Sequence, residues 1–542
     1  MEEGMAEWLP HLAKEIVSET EGTFLDAYAI ALEGWRRGLT LKWHVKNSEK
    51  FKDMKTWYVD RPGLLFSLSS EDKTHYFFRS RGDKVANEAV ELGMDKAKTK
   101  ETLDKHDVTN PEGKFFSKET PDQSVLDYAN HLGYPIVLKP VDGSFGRGVV
   151  SNITSEGEME HSIDYVRNEM NYKDVIVEQY IPGDDLRLYV VDDKVVGAIK
   201  RIPPNIIGDG INSIEALIEL KNEERSLNPR LVSCPIKLDK ELIEYIGRAG
   251  KDLKSVPEQG EQIYLSDKAN ISLGGDPVDV LDNLTEDIKQ TAVQAMQSIS
   301  GLTHGAVDML ISKDSSGEKK GYVIELNPTS QLGGILFPIS GKARDIPAAV
   351  MDYYFPETKN FTNENKNIYF EFFDVLEPLV SRQGQVSTVT PCPQGQMYAK
   401  KYTVCGEVQD IGYHRGLRKQ AFERCLHGYV MNKENGDIDV IVGGLDPDMV
   451  EDFKNGFWED EERATVVEIK EEVYEGDLKV GFEIKADIKT LKEELEYLNH
   501  EIERTTIEMK RAEVKRRKLS KSLSWKSTKP IRVVGGLFKE NK

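Results

Sequence analysis

The spacing of apolar residues changes several times along the chain, and each change marks an element. FLDAYAIALEGWRRGL (24–39) has the three-and-four spacing of an amphipathic helix. LTLKWHV, LLFSL and HYFF are short strand-like runs, so residues 1–95 are expected to form a small α/β unit. From 96 to 355 strands and helices alternate, with PIVLKP, VIVEQYI, VDML and VIEL as apolar strands. Pro and Gly punctuate FTNENKNIYFEFFDVLEPLVSRQGQVSTVTPCPQGQ, which makes 356–396 a linker. Residues 397–486 then follow the order strand, helix, strand, strand, helix, strand. Beyond them Ile488, Leu491, Leu495, Leu498, Ile502, Thr505, Met509 and Ala512 form an a/d seam, which predicts a coiled-coil helix over 487–520 and self-association. A lone amphipathic helix packed on its own body would carry the same seam.

Composition narrows the class. A chain of 542 residues is too long for one core. Nowhere do 18 apolar residues run together, and the N-terminus MEEGMAEWLPHLAKEIVSE is acidic where a secretion signal would be basic, so a cytoplasmic location is expected. The net charge of -21 argues against nucleic acid as a partner. From Lys510 to Lys542, however, twelve lysines and arginines face only Glu513 and Glu540. The basic tail (521–542) is therefore a separate electrostatic object, suited to an anionic inner-membrane surface or an envelope-assembly partner, or simply to solvent.

Chemistry concentrates in the middle of the chain. PIVLKPVDGSFGRGVV places Lys139 on a strand ahead of a loop with Gly143, Ser144, Gly146 and Gly148, and β-branched residues follow it, as in a hairpin. Such a loop can cradle an anion with backbone N–H groups while the lysine adds a point charge; a plain surface hairpin is the alternative. Farther on, GAVDMLISKDSSGEKKGYVIELNPTS puts Asp308 on one strand and Glu325 and Asn327 two apart on the next. They would share a face and offer hard oxygens to Mg²⁺. Between these motifs the backbone of Glu178, Gln179, Tyr180 and Ile181 can run along an adenine edge, with Asp185 near a ribose. Arg187 and Arg201 can neutralise phosphoryl oxygens.

The ordered set DKAKTK, YPIVLKPVDGSFGRGV, VIVEQYIPGDDLRLYVV, IKRIPPNIIGDGINSIEALI, ANISLGGDPVDV, GAVDM and VIELNP resembles the ATP-grasp ligases, in the branch that contains cyanophycin synthetase and the ATP-grasp half of bifunctional glutathione synthetases. The resemblance implies an ATP-grasp fold over 96–355 and ATP with Mg²⁺ (or Mn²⁺) as cofactors. It implies Lys96 and Lys139 at the phosphates, the glycine loop as a flap, and Asp308, Glu325 and Asn327 at the metal. The chemistry implied is the joining of a small-molecule carboxylate to an amine or thiol through an acyl phosphate.

A second resemblance covers VCGEVQDIGYHRGLRKQAFERCLHGYVMNKENGDIDVIVGG, which looks like acylphosphatase, a ferredoxin-like βαββαβ domain. That family binds phosphate in the loop matching Val408 to Gly412 and uses an arginine and an asparagine. Asn432 matches, but His414 stands at the arginine position and Asp410 replaces a glycine, which implies reduced or lost activity. The closing SLSWKSTKPIRVVGGLF resembles tails of bacterial glycosyltransferases acting on surface polysaccharides. The expected architecture is α/β and α+β multidomain: ATP-grasp fold, ferredoxin-like domain, coiled coil. The expected function is ligation; an acylphosphatase with a regulatory ATP-grasp part and a nucleotide-gated envelope scaffold are the alternatives.

Overall fold

The computed structural model describes residues 6–142, 147–313, 317–359, 367–409, 412–458 and 464–485, and, farther on, 495, 498–500, 502, 504–507, 509–512 and 514–516. Two compact units result: Met1–Gln396 with Gly476–Val480, and Met397–Glu475 with Gly481–Lys542.

Early in the first unit, after the short helical turns Pro10–Leu12 and Lys14–Val17, runs helix α1 (Thr23–Arg36), which is buried along nearly its whole length. It packs on a five-stranded sheet ordered Val386–Thr388, Thr40–His44, Leu65–Ser69, Thr74–Phe78, Arg81–Gly82. The presumed linker is thus partly structural, since Val386–Thr388 pairs with Thr40–His44. The short strand Ile368–Tyr369 pairs in parallel with Leu478–Lys479. Arg36, buried at the end of α1, holds that edge by donating from Nε to the Ile368 carbonyl at 2.7 Å.

Helix α2 (Lys96–Lys105) leads into a four-stranded sheet of β1 (Gly113–Phe116), β2 (Ile136–Pro140), β3 (Val150–Ile153) and β4 (Val175–Gln179), ordered β1-β4-β2-β3. Alternation decides its faces. Ile136, Leu138, Val175 and Val177 turn to a core completed by Val125, Met159 and Ile163. Lys139 and Glu178 take the opposite face.

A second sheet contains β5 (Asp184–Val191), β6 (Lys194–Ile202), β7 (Asp276–Asp279), β8 (His304–Lys313) and β9 (Lys319–Asn327), ordered β7-β6-β5-β8-β9. Leu186, Leu188, Val190, Val307 and Met309 pack against Ile288, Ala292 and Met296 of α3 (Glu286–Gln297). The other face splits along its length. At one end Tyr189 Oη and Tyr354 Oη bracket His304, each 3.1 Å from a ring nitrogen, and α4 (Ile346–Tyr354) covers them. Burial, with Arg81 and Lys84 nearby, pushes His304 down to about 3, so it stays neutral. The other end carries the charges described below.

Between β6 and β7 sits an inserted lobe with its own small core, including Ile206, Ile214, Ile218 and Ile246. Its anchor is Asp276, 2% exposed, which accepts from Arg225 at 2.6 Å, Lys221 at 2.5 Å and Asn205 at 3.1 Å.

In the second unit β10 (Tyr398–Glu407), α5 (Tyr413–Glu423), β11 (His427–Asn432), β12 (Ile438–Gly444), β13 (Thr465–Val473) and β14 (Phe482–Lys485) form a sheet ordered β13-β10-β12-β11-β14. Of the predicted seam, Leu495, Leu498, Ile502, Thr505, Met509 and Ala512 are described and helical, and the leucines, Ile502 and Met509 are exposed. Ile488, Leu491 and the tail 521–542 lie outside the described residues. Among the described residues no helix is long and apolar enough to cross a membrane.

Removing a partner from a buried ion cluster strands the others, which costs roughly 3–5 kcal/mol. Asp276→Ala is therefore expected to lower the unfolding free energy of the first unit by an amount in that range, measured by urea unfolding of the full chain.

Candidate active site

A row of ionised side chains crosses the second sheet. Asp308 on β8 lies opposite Arg187 on β5 and opposite Glu325 on β9. Arg187 grips Asp308 with both arms of its fork, Nε to Oδ1 at 2.8 Å and a terminal nitrogen to Oδ2 at 2.9 Å. Arg201 on β6 reaches Asp308 Oδ2 at 3.1 Å and Asp185 Oδ1 at 2.8 and 2.5 Å. Burial alone would raise the Asp308 pKa, yet the two arginines outweigh it and hold the carboxyl down to about 2. Asp185 moves the other way: burial raises it, and Arg201 only partly offsets that.

The ladder between β8 and β9 contains a bulge. Asp308 pairs with Glu325 but Met309 pairs with Val323, so Ile324 is the extra residue. This change of parity lets Val323 face the α3 core while Glu325, two residues on, faces the charged row. Asn327 follows on the Glu325 side, opposite Ala306. The Glu325 side chain has no hydrogen bond or ion pair among the described residues. The buried Asn327 Nδ2 likewise has no partner. Among the described residues no three His, Cys, Asp or Glu side chains converge as a metal centre. The set here is two carboxylates and an amide that can offer oxygens of the kind Mg²⁺ takes, and the idle Glu325 carboxylate fits such an ion, whereas the idle Nδ2 of Asn327 is a hydrogen-bond donor and not a ligand.

On the first small sheet Lys139 Nζ sits 2.6 Å from Glu178 Oε2, and both side chains are buried. Gly113 makes room for this: a Cβ there would lie 2.6 Å from Glu178 Cγ and 2.5 Å from the Val177 carbonyl oxygen. The same face borders a cavity of about 600 Å³ lined by Lys98 and Glu101 of α2, Gly113 and Phe115 of β1, Ile176 and Asp142. Lys96 is the first residue of α2, whose N-terminus Asp95 caps by accepting from Ala97 and Lys98. After β4, Gln179 N–H and Tyr180 N–H are taken by the carbonyls of Glu112 (2.8 Å) and Pro135 (3.1 Å). Ile181 N–H has no partner among the described residues. Gly148 adopts φ +72°, which favours glycine. Gly143, Ser144 and Gly146 lie outside the described residues.

Structure thus brings Asp185, Arg187, Arg201, Asp308, Glu325 and Asn327 onto one face, and Lys139 with Glu178 onto another. It also pairs the arginines, expected at phosphoryl oxygens, with the carboxylates themselves. Lys100, third lysine of DKAKTK, is a structural tie: its Nζ donates to Asn110 Oδ1 and the Pro111 carbonyl, both at 2.6 Å.

In the second unit Gly412, at φ +78°, precedes α5, and His414 is the second residue of that helix. Gln409 Nε2 donates to the carbonyls of Lys433 (2.9 Å) and Asp437 (2.7 Å), tying the loop to the end of β11 where Asn432 sits. Asn432 Oδ1 is buried without a partner. Asp410 lies outside the described residues.

Residues 93–209 match the model of the RimK-like ATP-grasp domain, and residues 400–484 that of acylphosphatase. The chain joins an ATP-grasp domain to an acylphosphatase-like domain. The ATP-grasp part is similar to cyanophycin synthetase of Crocosphaera subtropica, 34% identical over 273 residues, which are 49% of this chain and 31% of that protein. It is also 28% identical over 300 residues to a glutathione biosynthesis bifunctional protein of Desulfotalea psychrophila, covering 54% of this chain and 38% of that one. The crystal structure of a bifunctional glutathione synthetase from Pasteurella multocida aligns with a TM-score of 0.43 at 23% identity, over 54% of this chain and 41% of that chain. The chain spans about a third of the length of the curated relatives it matches.

The ATP-grasp face makes a prediction about acid. With its carboxyl held at about 2 instead of the ordinary 3.8, Asp308 contributes stability that is complete above pH 3.8 and is lost as pH falls through about 2. Its size is on the order of 2 kcal/mol. The stability gap between wild type and Asp308→Asn, measured by urea unfolding, should hold from neutral pH down to that upper value and close below it.

Proposed function

We propose that the chain is an ATP- and Mg²⁺-dependent ligase that joins a carboxylate to an amine or thiol. The observation that carries this is the single charged row Asp185, Arg201, Arg187, Asp308, Glu325, with Asn327 beside it, on an otherwise packed sheet. One buried carboxylate and four part-buried charged side chains gathered on one sheet face are not what stability alone requires. Asp308, Glu325 and Asn327 would hold Mg²⁺, which would offset phosphoryl charge. Lys139 and Lys96 would take the phosphates, Ile181 N–H an adenine acceptor, and Asp185 the ribose.

The reaction needs positioning and charge neutralisation more than a protein nucleophile. A substrate carboxylate oxygen attacks the γ-phosphorus and ADP leaves. The amine nitrogen or thiol sulfur then attacks the acyl carbon, phosphate leaves with the acyl oxygen's electron pair, and the nucleophile gives up a proton. In this scheme Arg187 and Arg201 exchange carboxylate partners for phosphoryl oxygens as ligand enters. The glycine loop 143–148 closes over the phosphates.

The acylphosphatase-like domain is proposed as a weak hydrolase or a binding module. Asn432 keeps an idle carbonyl for a water or acyl group, but an imidazole at 414 lacks the two aligned, permanent donors of arginine. Charge-assisted hydrogen bonds are worth about 1.5–3 kcal/mol each, or one to two decades in rate. A cytoplasmic, self-associating enzyme whose basic tail touches an anionic surface is the setting we propose.

Screening ADP release over pairs of carboxylates and amines, with mass spectrometry of the product, tests the ligase. Glu325→Gln is expected to cut ADP release at least a hundred-fold with an unchanged circular dichroism melt, since a metal carboxylate is worth several kcal/mol in the transition state. No ADP release from any pair, or a fully active Glu325→Gln, contradicts it. Separately, His414→Arg in the full chain should raise benzoyl phosphate hydrolysis ten-fold or more; fast hydrolysis by the unaltered chain that Asn432→Ala abolishes would favour the acylphosphatase alternative.

A further inference from the structure

The residues that follow Asn327 are gripped from elsewhere in the first unit. Ser80 Oγ donates to the Ser330 carbonyl at 2.7 Å, Leu332 N–H donates to Asp26 Oδ1 at 2.8 Å, and Arg230 donates to Gln331 Oε1 at 2.9 Å. Asp26 is fully buried in the first turn of α1, and burial makes it an expensive place for a carboxylate. Burial raises its pKa; Arg79, the Leu332 N–H and Arg230 pull it back.

Arg79 itself is the anomaly. Its side chain is 13% exposed, yet of its five N–H donors only one finds a partner among the described residues, Asp26 Oδ2 at 3.3 Å. Its Nε is buried without any. The backbone at Arg79 is also strained, with φ +56° in the left-handed region. A guanidinium brought indoors by a strained backbone and left under-bonded costs energy on both counts. Asp26 neutralises its charge but does not satisfy its fork. A planar anion would do so, because two parallel N–H donors match a carboxylate. Asp26 and Ser80 tie this arginine to residues 330–332, five residues or fewer past the Asn327 of the proposed metal set.

We infer that Arg79 is the anchor for a carboxylate of the acid or acceptor substrate that is not itself activated, positioned by Asp26 against the 330–332 loop. This rests on the ligase reading for the identity of the substrate, but the anion site is a property of Arg79 itself. It narrows the substrate class to molecules with a carboxylate beyond the reacting groups: amino acids, their peptides or dicarboxylic acids.

Two arms test it on the full chain. In the first, phenylglyoxal modification is mapped by peptide mass spectrometry with succinate or its diamide as probe. Succinate should slow modification of Arg79 and succinamide should not. Equal modification in both, or a reagent that never reaches Arg79 in the substrate-free chain, overturns the site, because a pocket that admits a carboxylate admits a small dione. In the second, Arg79→Gln should raise KM for the carboxylate-bearing substrate roughly ten- to hundred-fold, leave kcat and the KM for ATP near wild type, and remove the preference for the free carboxylate over its amide. Arg79→Lys should recover part of the loss. A fall in kcat with KM unchanged would make Arg79 merely structural. If wild type releases no ADP with any pair, the ligase reading fails while the labelling arm still decides the anion site.

Discussion

The charged face of the ATP-grasp sheet depends on Asp308 staying ionised inside the protein. Buried without counter-ions, it would take up a proton, and Arg187 and Arg201 would lose the charge that draws them together. With both guanidinium groups in place, Asp308 becomes the shared corner of two ion pairs, and Asp185 is recruited through Arg201. The bulge at Ile324 then delivers Glu325 to the same corner without disturbing the apolar contacts of Val323. At the far end of the face, the uncharged Tyr189, His304 and Tyr354 chain allows α4 to close over the sheet. One face is thereby divided into a sealed, uncharged half and a charged half.

The cations of the two faces are each held by carboxylates: Lys139 by Glu178, Arg187 by Asp308, Arg201 by Asp308 and Asp185. Breaking a buried pair outright costs roughly 3–5 kcal/mol, so under the proposed function phosphate would enter by an exchange in which each cation gains an oxygen as it gives one up. The carboxylates released in that exchange need a positive partner of their own. In the proposed reading a divalent cation entering with the nucleotide would supply it, and metal and nucleotide binding would then be coupled.

Strand alternation made much of this legible. The pattern of IVLK predicts Lys139 on the face away from Ile136 and Leu138, and ELN predicts Glu325 and Asn327 side by side. Other features follow from packing that no single stretch encodes. The register bulge depends on which residue of YVIEL meets Met309. The arginine partners depend on strand order, since β5 and β8 are far apart in sequence and adjacent in the sheet. The strand role of Val386–Thr388 was hidden by the Pro and Gly around it. Asp26 did leave a signal, a lone carboxylate inside the apolar helix FLDAYAIAL, although its partner Leu332 is 306 residues away.

The central claim is that this sheet face holds metal and nucleotide together, and crystals grown with Mn²⁺ and a non-hydrolysable ATP analogue address it most directly. An anomalous manganese peak in contact with Asp308 and Glu325 is expected, with phosphates reaching Lys139 and at least one of Arg187 and Arg201 turned from carboxylate to phosphate. Manganese held by other residues, or nucleotide bound with the Arg187–Asp308–Arg201 cluster unchanged and remote from it, would contradict the account.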